Sequence, residues 1–157
     1  MTALPIGGRR RGDPPPESPR DTVVVLRPDS AASPALLAAA RAAGGTVTVV
    51  LPLRVHGFAF GLPNPGLLPT KSEQARGEAA ITKTVRALRK TGVDVDGQIV
   101  VTRTAHKAIG RIVARRGATR VLLEPPTGGR VRRLLEGDLS RQLARRVRRQ
   151  ATVTETA

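Results

Sequence analysis

Apolar positions along this chain fall into short unbroken runs separated by stretches of helical spacing. Thr22 to Leu26 is a compact β-branched run without alternation. It predicts a strand covered on both faces, as in a parallel sheet. Ser33 and Pro34 follow as an N-cap and a proline at the first helical position. They open a helix over Pro34–Ala43, which Gly44 closes. A second apolar run, Thr46 to Leu53, predicts the next strand. Thr70 and Glu73 have capping-box spacing and begin a helix that runs to about Thr91. Its apolar positions Ala80, Ile81, Thr84, Val85 and Leu88 share one face, and Gly92 ends it. Gln98 to Thr102 predicts a third strand. Thr104 caps a third helix with Ala105, Ala108, Ile109, Ile112 and Val113 on one face, and Gly117 stops it. Val121 to Leu123 predicts a fourth, buried strand. After it come a turn with Pro125, Pro126, Gly128 and Gly129, then a basic helical segment broken at Gly137. Ala151 to Glu155 alternates weakly and predicts a short fifth strand at an edge.

Strands alternate with helices, and no hairpin signal intervenes. The pattern predicts a doubly wound, Rossmann-like α/β sheet with helices on both faces. Ligands of such sheets sit beyond the carboxyl ends of the strands. Arg27, Pro28 and Asp29 end the first strand, and residues 124–129 end the fourth, so these two loops should face one crevice. The segment from Arg54 to Pro69 is long and irregular and holds both phenylalanines, Phe58 and Phe60. Segments of that length serve as lids or partner contacts, or tuck their own apolar residues down as variable surface loops. Residues 1–20 are rich in Pro, Gly and Arg and lack periodicity, which predicts a disordered tail ahead of one domain over residues 21–157.

Charge changes the picture in the last third. The formal net charge is +15, and residues 101–157 hold 14 basic and 4 acidic side chains. Such a field favours polyanions or an acidic protein partner. The 23 arginines against 4 lysines also fit a GC-rich coding bias with no partner behind it. Arg141, Arg145, Arg148 and Arg149 are the candidate polyanion-binding residues, the first three at spacings that share a helix face. Stacking platforms for single strands are scarce, with no tyrosine or tryptophan.

Reactive chemistry is sparse. The absence of cysteine removes a disulfide framework, a thiolate zinc site and a cysteine nucleophile. His56 and His106 lack the spaced partners of a metal site. There is no G-x-S-x-G elbow, no P-loop and no G-x-G-x-x-G after the first strand. These observations predict a protein that is not an enzyme. No run approaches the roughly 18 apolar residues of a membrane span, and no apolar signal-like core opens the chain. A cytoplasmic protein with no membrane contact is the expectation.

The stretches TVVVLRPDSAASPALLAAARAAGGTVTVVLPL, SEQARGEAAITKTVRALRKTGVDVDGQIVV and TAHKAIGRIVARRGATRVLLEPPTGGRVRRLLEGDLSRQLARR together resemble a universal stress protein domain of the UspA type. The resemblance implies a five-stranded parallel sheet of order 3-2-1-4-5. It also implies a homodimer formed through the last strand, a stress-linked regulatory role and, in one branch, ATP binding. That branch carries a glycine, two residues, a second glycine, nine residues, then Gly-Ser or Gly-Thr. Glycines let the backbone approach phosphates, and a hydroxyl at the helix start bonds one of them. Counting back from Gly137, the glycine positions fall on Thr127 and Glu124, and the hydroxyl position falls on Asp138. Gly128 and Gly129 are shifted by one and two residues. The candidate nucleotide-binding residues are therefore Thr127, Gly128, Gly129, Gly137 and Asp138, with Glu124 an acidic intruder that could pair with a nearby arginine. Asp138 also suits a helix N-cap. The reading is a regulatory module with a degenerate ATP site or none. The alternatives are an ATP-binding switch and a basic nucleic-acid- or ribosome-associated protein.

Overall fold

The computed structural model describes residues 21–28, 30–55, 68–124 and 139–156. The tail at 1–20, Asp29, most of the long loop (56–67) and the glycine-bearing loop (125–138) lie outside the described residues. The elements follow in order: β1 Thr22–Val25, α1 Pro34–Ala43, β2 Val47–Arg54, α2 Lys71–Lys90, β3 Val95–Thr102, α3 Ala105–Arg116, β4 Arg120–Leu123, α4 Leu139–Val147 and β5 Thr152–Glu155. The five strands form one parallel sheet of order β3-β2-β1-β4-β5.

The continuous apolar runs are the inner strands. Every residue of β1 is buried, and β2 is buried up to Leu53. Because side chains alternate across a strand, each run feeds two cores. Val24, Val49, Leu51 and Leu122 pack with Leu36 of α1 and Leu88 of α2 on one face. Val23, Val25, Val50 and Val121 pack with Ile109 and Val113 of α3 and Leu143 of α4 on the other.

Pro52 lies inside β2, opposite Val100 of β3. Leu26 N–H donates to Val50 O at 2.8 Å, so even-numbered residues of β2 turn their peptide groups toward β1. Pro52 occupies the next donor position on that side and has no N–H to give. The β1–β2 pairing accordingly stops at Val25↔Val50, while β2 and β3 continue to Arg54↔Thr102.

Two expected details differ. β3 begins at Val95, not Gln98, and pairs with β2 over its whole eight-residue length. Asp96 and Gly97 have poor strand propensity, yet the place needs glycine. A Cβ on Gly97 would come within 2.5 Å of Ile81 Cγ2 and 3.0 Å of Val85 Cγ2 on α2. Thr104 is the N-cap of α3, but its side chain makes no capping bond. Its C=O receives the N–H groups of Lys107 and Ala108, and its own N–H donates to Thr102 Oγ1 at 3.1 Å.

Candidate functional site at the ends of β1 and β4

β1 and β4 are neighbours in the sheet, with Val25 beside Leu123. Strand order reverses direction across this pair, which makes their carboxyl ends the crevice of the fold. The described wall consists of Arg27, Pro28 and residues 30–33 after β1, and Glu124 after β4. Two side chains from elsewhere hold this loop. Thr84, fully buried in α2, donates its hydroxyl to Ala80 O and accepts from Ala32 N–H at 3.1 Å. Glu124 Oε1 accepts the backbone N–H of Ser33. Ser33 then caps α1, its Oγ accepting from Leu36 N–H at 3.2 Å.

A carboxylate thus sits at the positive end of α1, where backbone N–H groups and the helix dipole favour an anion. Among the described residues the partner of Glu124 is the Ser33 amide; Arg130, Arg132 and Arg133, the first arginines after it in sequence, lie outside the described residues. Nothing in the local sequence links positions 33 and 124; only the adjacency of β1 and β4 brings them together. The candidate nucleotide residues Thr127, Gly128, Gly129, Gly137 and Asp138 lie outside the described residues, as does the break at Gly137.

The basic candidates divide between two settings. α4 ends at Val147. Arg141 and Arg145 are exposed on the helix, whereas Arg148 and Arg149 are exposed in the turn that follows. There Gln150 and Ala151 N–H groups both reach Val147 O, closing the helix. Arg148 stands one residue past the last residue of α4, and the Ala151 N–H to Val147 O bond carries one further α-turn through it.

Arg146, outside that set, lies across α3: a Cβ on Gly110 would fall 2.8 Å from its Cδ and Nε. It helps surround His106, whose pKa lies below its ordinary value. Burial is the leading cause, followed by the charges of Lys107, Arg146 and Arg54, against an opposing hydrogen bond with Gln142. Gly110 leaves the room for this close α3–α4 approach.

No family model and no curated protein sequence matches the chain. Solved structures do. A universal stress protein from Archaeoglobus fulgidus superimposes with a TM-score of 0.58 at 15% identity, covering 85% of this chain and 92% of that one. The chain has the fold of the universal stress proteins. A universal stress protein in complex with cAMP is similar at a TM-score of 0.57 and 16% identity, over 89% of this chain and 100% of that one. The Archaeoglobus fulgidus protein in complex with dAMP gives 0.55 and 15%, over 84% and 96%. The expected sheet, its order and its parallel sense are all present. Among the described residues, no helix is long and apolar enough to cross a membrane.

Proposed function

We propose that this chain is a universal stress protein-like regulatory module whose crevice has lost family-style ATP binding. It acts as a cytoplasmic homodimer through β5 and catalyses no reaction. The observation that carries the reading is the Glu124 carboxylate bonded to Ser33 N–H between the ends of β1 and β4. Nucleotides occupy two proteins of the same fold. A phosphate brought to the β1–β4 crevice of this chain would meet a negative charge held at Ser33. At about 4 Å and an effective dielectric of about 20, one such charge pair costs roughly 4 kcal/mol. A micromolar ligand has only about 8 kcal/mol in all. The dimer reading rests on β5 standing at the end of the sheet, where three of its four residues are exposed.

Denaturing the purified chain and identifying any released nucleotide tests the central claim. The expected result is none, with calorimetry showing no ATP binding. Stoichiometric ATP overturns the reading. Light scattering at micromolar concentration tests the dimer, and a strict monomer removes it.

A further inference from the structure

The other end of the sheet carries a different surface. β3 is its last strand, and no described strand lies beyond it. Val47 N–H donates to Asp94 O and Val55 N–H to Thr102 O, so even-numbered residues of this strand turn their peptide groups inward. Gly97, Ile99 and Val101 therefore turn theirs outward. Val95 C=O lies on this outer edge and accepts from Arg89 Nη2 at 3.2 Å. Beside the edge runs a groove of ≈ 610 Å³ against α2, with Ile81 and Val85 as its floor and Arg86, Arg89 and Lys90 along one end. A smaller groove of ≈ 310 Å³ continues it past Gln98 and Ile99. Val101, 47% exposed, extends the apolar surface along the strand.

The charges are uneven. Asp96, the carboxylate of β3 nearest the basic end, is paired with Arg116 of α3. Glu78 stands at the far end of the groove. We propose that this edge binds an acidic, extended segment of a partner protein, added to β3 as a sixth strand. Its main chain pairs with the outward groups of Gly97, Ile99 and Val101. Its carboxylates meet Arg86 and Lys90, and alternate apolar side chains cover Ile81 and Val85. A second copy is the poorer occupant, because it brings the same charge of +15. The inference does not depend on the state of the β1–β4 crevice.

The probe is a short fluorescent peptide alternating valine and glutamate, titrated onto the full chain at low ionic strength. Binding should weaken about tenfold when Arg86→Glu and Lys90→Glu are combined. Val101→Pro removes one outward N–H and leaves the β2 pairing intact, so it should weaken binding about fivefold. Bound peptide should also slow amide exchange at Gly97, Ile99 and Val101. Melting curves matching the parent chain separate lost binding from lost folding. The proposal is overturned by absent binding, or by binding indifferent to both variants. Displacement of the peptide by an oligothymidylate that shows the same variant dependence would make the site a nucleic-acid site and overturn it. A dimer dissolved by Val101→Pro would give the edge to a second copy and overturn it too.

Discussion

The two ends of the sheet solve the edge problem in different ways. β3 pairs over eight residues with β2 and lies beneath the twenty-residue helix α2. β5 pairs over four residues with β4 and is tied beyond its end by Thr156, whose N–H and hydroxyl both reach Leu123 O. A long edge can retain a groove and free peptide groups without coming loose, because its helix anchors it. A short edge is held by few bonds, so a neighbour across it adds proportionately more. That difference fits the two proposals, a transient extended partner at β3 and a permanent one at β5.

The sharpest test is the anchor of the long edge. Leu88 is 1% exposed on α2, and Leu88→Ala should cost about 3 kcal/mol, read by urea unfolding with a single transition. Separate transitions for the two ends would break the picture of one cooperative sheet. Next is Gly97→Val, whose added atoms collide with Ile81 and Val85. A loss of about 2 kcal/mol is expected, along with closure of the groove. If stability is unchanged, the close seat of α2 on β3 is not required.

At the short edge, Thr156→Val removes the hydroxyl bond to Leu123 O and should cost about 1 kcal/mol. The loss should be greater in dilute than in concentrated protein if β5 is the dimer seam. The smallest effect concerns His106, on the α3–α4 side. Its folded pKa is depressed, so the neutral ring is favoured and its contribution is complete above the unfolded value of about 6.5. That contribution is lost as pH falls through the lower folded value. Melting temperature should therefore drop on acidification by slightly more in the parent chain than in His106→Gln. Equal drops would show that neither burial nor the surrounding cations disfavour the charged ring.

Much of the fold was legible along the chain. The runs at Thr22 and Val47 are buried on both faces, and a residue covered on both sides leaves no alternation to misread. Capping carried further: Ser33 and the Thr70–Glu73 pair make the side-chain bonds their spacing predicts. The start of β3 was hidden because Asp96 and Gly97 resemble a turn, and the reason for glycine lies in a helix sixteen residues earlier.

By itself the sequence determined the alternation of strands and helices, their approximate limits and the concentration of positive charge in the last third, since these depend on neighbours a few residues apart. Only the tertiary structure decided that Glu124 bonds Ser33 across the crevice, that Pro52 ends the β1–β2 pairing, and that β3 is the end strand of the described sheet beside a basic groove. Each of those joins groups distant in sequence whose separation in space is fixed by strand order and register.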